Sequence, residues 1–216
     1  MLKAVIFDLD GTLLYTVEDL CDSVNYALSS FGFPAITLEM TTKMIGNGVR
    51  NLITRAAPEG TDECTVNELL AHFKSHYKDN MENKTKAYDG IVEMLGALKK
   101  KGIKTAVLSN KYDAATKRLC DDLLTDLIDL PVGERQGRPR KPDPDGVMYI
   151  LDQLSCNASE CALVGDADTD MKTALNAGVI PVGVSWGYRS VDALREGGAH
   201  IIADTSEQLY RILIEM

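Results

Sequence analysis

Apolar and polar positions follow two different patterns along this chain, and the patterns predict two kinds of structure. Between residues 16 and 83 the apolar residues recur at spacings of three and four, which is the period of amphipathic helices. Elsewhere short continuous apolar runs, typical of strands buried on both faces, alternate with helical segments. This alternation predicts an open parallel sheet with helices on both faces.

The predicted elements divide the chain into a core and an insertion. The predicted strands cover residues 4–7, 103–108, 127–132, 161–164, 180–184 and 199–203. The predicted helices cover residues 16–31, 38–45, 49–57, 63–78, 91–101, 114–124, 146–154, 171–177, 191–196 and 207–215. We therefore predict an α/β fold, a doubly wound Rossmann-like sheet formed by residues 1–15 and 84–216, with a small helical domain of residues 16–83 inserted after the first strand.

The length of the chain indicates how many domains it forms, and its charge indicates which kinds of partner it can bind. A chain of 216 residues suits one main domain with a smaller insert. Its formal net charge of -9 argues against nucleic acid or an anionic membrane as a partner. An anionic substrate would have to be captured by cations and backbone amides placed locally in the site.

The cysteines and the apolar runs indicate the cellular compartment of the protein. Five cysteines occur without a Cys-x-x-Cys pair, which favours reduced thiols in a cytoplasmic protein. No apolar run is long enough to span a bilayer, and the first residues lack the pattern of a signal peptide. We expect a cytoplasmic monomer or homodimer that binds a small molecule.

The first predicted strand ends at two carboxylates, Asp8 and Asp10, which would point the same way in an extended chain. Two anions side by side at the end of a buried strand repel each other. Such a pair is tolerated where a cation lies between them or where one carboxyl is protonated. Gly11 permits a tight turn, and Thr12 adds a hydroxyl and a backbone amide just beyond it. A solvated Asp-Gly turn is the alternative interpretation of this stretch alone.

Two further strand ends carry polar residues, Ser109 and Asp166. In open α/β sheets ligands bind beyond the carboxyl ends of the strands, so these residues are expected to meet Asp8. Lys141 lies in a loop stiffened by prolines and can offset the negative charge. Each residue alone has a structural explanation, but together they predict one site.

The residue types favour phosphoryl transfer. Several carboxylates without a histidine or thiolate partner select a hard cation, and Mg²⁺ fits. Asp8 is the economical choice for the nucleophile, and Asp10 for the general acid and base. Ser109 and Asn110 offer a hydroxyl and an amide to phosphate oxygens.

These motifs together resemble the haloacid dehalogenase superfamily of phosphatases. The four motifs, in chain order, are Asp8-Leu9-Asp10-Gly11-Thr12, Ser109-Asn110, Lys141-Pro142-Asp143-Pro144 and Gly165-Asp166-Ala167-Asp168-Thr169-Asp170. The resemblance implies that Ser109 and Lys141 hold phosphate and that the helical insert is a cap. It also implies a set of Mg²⁺ ligands, namely the Asp8 side chain, the Asp10 backbone carbonyl and Asp166, with Asp170 in support.

Residues 45–53 and 184–189 are similar to the phosphoglycolate phosphatase branch of that superfamily. The best substrate on this basis is 2-phosphoglycolate, with Arg50 as the candidate partner of its carboxylate. Tyr15 departs from the branch, which often has an acidic residue there. An inorganic pyrophosphatase, a sugar phosphomutase and a non-catalytic phosphate-binding module are the alternatives.

Overall fold

The computed structural model describes all residues, 1–216, and contains eight strands and ten α-helices. The strands are β1 (Ala4–Phe7), β2 (Leu14–Tyr15), β3 (Lys86–Ala87), β4 (Lys104–Tyr112), β5 (Leu130–Glu134), β6 (Cys161–Gly165), β7 (Ile180–Val184) and β8 (Ile201–Ala203). The helices are α1 (Val17–Ser29), α2 (Leu38–Met44), α3 (Val49–Ala56), α4 (Glu63–Asn80), α5 (Ile91–Lys100), α6 (Asp113–Leu123), α7 (Asp145–Leu154), α8 (Asp168–Ala177), α9 (Val191–Gly197) and α10 (Ser206–Glu215). A single 3₁₀ turn covers Ala158–Glu160.

Six strands form one parallel sheet in the order β5-β4-β1-β6-β7-β8. Strand β1 lies near the middle, with Ala4 opposite Lys104 on one side and Cys161 on the other. All four residues of β1 are buried, as expected for a strand covered on both faces. The predicted doubly wound parallel α/β fold is therefore confirmed.

The core is built from the inner strands and the helices that cover them. One apolar cluster joins Ile6 of β1, Leu108 of β4 and Leu163 of β6 to Ile150 of α7 and Ala174 of α8. Burying an aliphatic side chain of this size contributes about 1.5–3 kcal/mol, so this cluster fixes the three central strands relative to one another. Their carboxyl ends, where the strand order reverses, are thereby held close together.

Two element boundaries near those strand ends differ from the prediction. Strand β4 continues to Tyr112, because it pairs with β5 again beyond an irregularity that follows Leu108. Ser109 and Asn110 therefore belong to the strand and do not begin a loop. Helix α8 starts at Asp168, three residues earlier than predicted, because the Asp170 carboxylate accepts the backbone N–H of Ala167.

Other differences are smaller. Strand β5 lies two to three residues later than predicted, and β8 is shorter. The short strands β2 and β3 pair with each other and were not predicted, since two residues are too few to show a period. None of the ten helices combines the length and apolar character that crossing a bilayer would require.

The chain forms two compact units: residues 1–14 with 87–216, which contain the six-stranded sheet, and residues 15–86. In the second unit, here called the helical unit, α1 packs against α4. Asp19 of α1 is buried, and its carboxylate accepts the backbone N–H groups of Lys84 and Thr85 and the hydroxyl of Thr85. This contact attaches the returning chain to the first helix.

Candidate active site

Three carboxylates meet at the carboxyl end of the sheet. Asp8 follows β1, Asp166 follows β6, and Asp170 lies in the first turn of α8. One carboxylate oxygen from each lies within 4.8 Å of the others. Asp166 and Asp170 are fully buried, and 13% of the Asp8 side chain is exposed. Segments far apart in sequence thus bring three anions together.

Lys141 lies between two of these carboxylates. Its Nζ atom is 2.8 Å from Asp8 Oδ1 and 2.6 Å from Asp170 Oδ1, and only 3% of its side chain is exposed. The second Asp170 oxygen accepts the Ala167 N–H, so Asp170 both caps the first turn of α8 and holds the lysine. A buried charge pair of this kind is fixed in place, since losing one partner would leave a charge uncompensated.

The site carries more negative charge than Lys141 can offset. Burial raises the pKa of the Asp8 carboxyl to about 8, with Lys141 opposing the rise and Asp170 and Asp166 adding to it. Burial and the neighbouring Asp170 charge also raise the pKa of Asp166, to about 6. Three carboxylates against one ammonium, offering oxygen atoms only, fit a hard divalent cation such as Mg²⁺.

Asp10 lies apart from this cluster and has a lysine of its own. Lys111 Nζ lies 3.0 Å from Asp10 Oδ1 and 3.2 Å from Oδ2, and its side chain is 5% exposed. Sequence reasoning missed Lys111, although it directly follows Ser109 and Asn110 in the chain. In the sequence it lay beyond the predicted strand of residues 103–108, where an exposed lysine is ordinary, so no signal distinguished it.

Ser109 and Asn110 hold backbone segments together beside the cluster. The Asn110 side chain accepts the N–H of Lys141 at 2.9 Å and donates to the carbonyl of Lys141 at 3.2 Å. The Ser109 hydroxyl accepts the N–H of Lys111 at 3.2 Å. Both residues are buried, so each fixes one of the two lysines.

Thr12 and a short turn after β7 enclose Asp166. The Thr12 hydroxyl donates to Asp166 Oδ1 at 3.0 Å, and the backbone N–H of Tyr188 donates to Asp166 Oδ2 at 2.7 Å. The indole N–H of Trp186 donates to the carbonyl of Thr12 at 3.0 Å. Thr12 was a candidate substrate ligand, but its hydroxyl contacts the carboxylate.

Arg50 lies in the helical unit, at the start of α3. Its guanidinium donates to Asn67 Oδ1 at 2.6 Å and to Glu63 Oε1 at 2.8 Å, both on α4. About 40% of its side chain is exposed. In this structure the Arg50 guanidinium is therefore paired with side chains of the helical unit itself.

The family model for haloacid dehalogenase-like hydrolases matches residues 5–184. A phosphoglycolate phosphatase of Rhodospirillum rubrum is 35% identical over 196 residues, covering 87% of this chain and 81% of the relative. That of Aquifex aeolicus is 34% identical over 188 residues, covering 87% and 86%.

Solved structures agree with this likeness. A crystal structure from Lactobacillus delbrueckii subsp. bulgaricus superimposes with a TM-score of 0.92 and 34% sequence identity, covering 98% of both chains. The assignment of that protein as a phosphoglycolate phosphatase is itself only a proposal. The likeness extends over both the sheet-containing residues and the helical unit.

Proposed function

This chain belongs to the haloacid dehalogenase-like hydrolase family, and from that premise we propose that it hydrolyses 2-phosphoglycolate with Mg²⁺ through an aspartyl-phosphate on Asp8. The predicted family and the predicted class, a phosphomonoester hydrolase, are confirmed by the family match and by the curated phosphatases. The substrate, the metal and the residue roles are the proposal.

The first step uses Asp8 as the nucleophile. Its carboxylate oxygen bonds to phosphorus while the bond between phosphorus and the ester oxygen breaks. Asp10 donates a proton to the departing alkoxide, so that glycolate leaves as a neutral alcohol at that oxygen. Lys141 Nζ, 2.8 Å from Asp8, offsets charge on the phosphoryl oxygens as they approach the carboxylates.

The second step returns Asp8 to its starting state. Asp10, now ionised, accepts a proton from water as the water oxygen bonds to phosphorus, and the bond from phosphorus to Asp8 breaks to release phosphate. A divalent cation held by Asp8, the Asp10 carbonyl and Asp166, with Asp170 behind them, would supply positive charge for the phosphoryl group and lower the repulsion among the carboxylates.

One observation carries this proposal: Asp8 and Asp10, the two carboxylates of the first motif, have different surroundings. Asp8 lies within 4.8 Å of Asp166 and Asp170, whereas Asp10 is paired with Lys111. Two carboxyls in separate environments suit two separate roles, nucleophile and proton carrier. A site for binding phosphate alone would need no such division.

The proposal is tested by a panel of small phosphates assayed with Mg²⁺ and with EDTA. The panel contains 2-phosphoglycolate, inorganic pyrophosphate, p-nitrophenyl phosphate and glucose 1-phosphate with a sugar bisphosphate. We expect the highest kcat/KM for 2-phosphoglycolate, and loss of activity in EDTA. Preference for pyrophosphate, or formation of glucose 6-phosphate, would favour the pyrophosphatase or the phosphomutase instead.

Asp8→Asn distinguishes the enzyme from a non-catalytic phosphate-binding module. The substitution keeps the size of the side chain but removes the nucleophile, so we expect hydrolysis to fall to background. A binding module would retain its phosphate affinity and its function in this variant.

Arg50 is proposed as the partner of the substrate carboxylate and needs its own test, since its guanidinium already contacts Glu63 and Asn67. Arg50→Ala would raise KM for 2-phosphoglycolate more than KM for p-nitrophenyl phosphate, which has no carboxylate. Arg55→Ala, on the same helix, is the matched control. An unchanged preference removes Arg50 from the proposal.

The helical unit is proposed to act as a cap that screens substrates by size and keeps bulk water from the intermediate. The compact division at residues 15–86 supports this proposal. A cytoplasmic location is also proposed, and the five free cysteines support it.

A further inference from the structure

Three hydrogen bonds around Asp166 restrain its side chain, and none of them takes part in the proposed reaction steps. Thr12 donates to Oδ1 of Asp166, the Tyr188 N–H donates to Oδ2, and the Trp186 indole N–H returns to the carbonyl of Thr12. The three contacts connect the ends of β1, β6 and β7. Both oxygens of one buried carboxylate are therefore oriented by groups from two other segments.

Two glycines make this arrangement possible. A Cβ atom at Gly187 would overlap Cβ and Cγ of Asp166, and one at Gly11 would overlap its carboxylate and the Tyr188 ring. Gly11 also has φ of +93°, which disfavours any side chain there. The backbone can approach the Asp166 side chain closely on both sides only because neither residue has a side chain.

We propose that residues 185–189, here called the Trp-Gly-Tyr turn, position Asp166 for the divalent cation and so set the affinity of the site for Mg²⁺. This inference rests on the metal dependence proposed above. Groups that orient a metal ligand typically change metal affinity about tenfold to hundredfold when they are removed, because the ligand loses its preferred orientation. The turn is thus a positioning element and makes no contact with the substrate in this scheme.

Gly187→Ala tests the inference. The added methyl group must displace Asp166, so we expect Mg²⁺ binding to become about tenfold to hundredfold weaker. Calorimetric titration with Mg²⁺ alone measures the affinity directly. The Mg²⁺ concentration that gives half of the maximal increase in Tm provides a second measure. Activity is expected to return at saturating Mg²⁺, and unfolding in EDTA to remain a single cooperative transition at a somewhat lower Tm, because the methyl group must displace buried atoms. A variant damaged throughout its fold would show neither result.

Gly96→Ala is the matched control, since a Cβ at Gly96 of α5 meets no atom within 4 Å. Its Mg²⁺ affinity should equal that of the wild type. Trp186→Phe provides a second variant, which keeps an aromatic side chain but loses the indole donor together with one of its two rings. It should weaken Mg²⁺ binding severalfold, in the range of about three to ten.

The outcomes separate this inference from the proposed function. If the wild type binds Mg²⁺ and both folded variants bind it equally well, the positioning role is overturned while the metal dependence stands. If the wild type takes up no Mg²⁺ and works in EDTA, the proposed metal dependence is overturned together with the positioning role. Weaker binding in Gly187→Ala and Trp186→Phe, with Gly96→Ala unchanged, supports the inference.

Discussion

At the scale of single residues, the candidate site separates charges that the sequence places side by side. Asp8 and Asp10 are two residues apart, yet Asp8 shares Lys141 with Asp170, and Asp10 is held by Lys111. Each carboxyl group of the first motif therefore lies beside a different buried ammonium group. This pairing keeps the two carboxylates in different positions without relying on their mutual repulsion.

Lys111→Met tests whether this pairing orients Asp10 as the proton donor. We expect kcat/KM for 2-phosphoglycolate to fall about a hundredfold, within the range that general acid catalysis contributes. The loss should be much smaller for p-nitrophenyl phosphate, because nitrophenolate leaves as a stable anion without protonation. Initial-rate kinetics on both substrates measure the difference.

Lys117→Met is the control for that comparison. Lys117 forms a similar but exposed ion pair with Asp113, so its removal should change neither rate appreciably. Equal losses on the two substrates in Lys111→Met would show a structural effect and contradict the orienting role. Lys111→Arg, which keeps the charge, is expected to recover part of the lost rate.

The carboxylates of the site could be predicted from sequence because each follows a recognisable buried strand or begins a helix. Lys111 and Gly187 could not, because their importance depends on atoms of Asp10 and Asp166 that lie far away in the chain. A lysine in a strand and a glycine in a turn have ordinary explanations until their neighbours are known. The roles of Lys111 and of the turn thus follow from tertiary packing.

At the scale of elements, the helical unit depends on one buried carboxylate at its chain ends. Asp19 in α1 accepts the backbone N–H groups of Lys84 and Thr85 and the hydroxyl of Thr85. Lys84 and Thr85 lie outside the helices and strands, so these N–H groups have no partner within a regular element. Unmet backbone donors in a buried place are costly. Asp19 therefore stabilises the return of the chain from α4.

Asp19→Ala is expected to lower the free energy of unfolding by about 1–3 kcal/mol, because the buried amide and hydroxyl of Thr85 would lose their acceptor. Urea unfolding followed by circular dichroism measures the change. Asp22→Ala, which removes an exposed ion pair with Lys84, is the control and should change the free energy by less than about 1 kcal/mol. Equal effects in both variants would show that the Asp19 contacts add no particular stability.

Most helices and strands could be predicted from the period of their apolar residues, but their ends depended on contacts. Helix α8 begins early because Asp170 accepts a backbone N–H, and β4 runs long because β5 lies beside it. The apolar pattern marks which residues are buried. It does not show where a polar side chain or a neighbouring strand extends the backbone hydrogen bonding.

At the scale of the whole molecule, a chain of net charge -9 is proposed to act on an anion. Its overall field would repel such a substrate, so capture would depend on local positive charge, namely Lys141 and a divalent ion. Before a metal binds, burial raises the pKa values of Asp8 and Asp166 to about 8 and about 6, and the neighbouring carboxylates add to the rise.

The raised pKa values of Asp8 and Asp166 predict how the stability of the protein changes with pH. Because both pKa values lie above the ordinary value of 3.8, the folded protein binds more protons than the unfolded chain, and its stability falls as pH rises through about 6 and then about 8. In EDTA we expect the Tm to decrease between about pH 4 and about pH 8, measured by scanning calorimetry. Asp166→Asn should show a smaller decrease.

Mg²⁺ should reverse much of that decrease, because a cation binds the carboxylates in their ionised form. The rise in Tm on adding Mg²⁺ is therefore expected to be larger at about pH 8.5 than at about pH 5.5. The difference between wild type and Asp166→Asn in the same buffers isolates the contribution of the site. An equal rise at both pH values would contradict the raised pKa values.

The double attachment of the Asp166 carboxylate has a consequence for the choice between ions of equal charge. With Thr12 bonded to one oxygen and the Tyr188 amide to the other, the carboxylate has little freedom to rotate. Calcium takes six to eight oxygen atoms at about 2.3–2.6 Å in adaptable surroundings, whereas magnesium demands a smaller octahedral shell. A ligand held this firmly favours the smaller ion, so calcium should compete poorly and support little turnover.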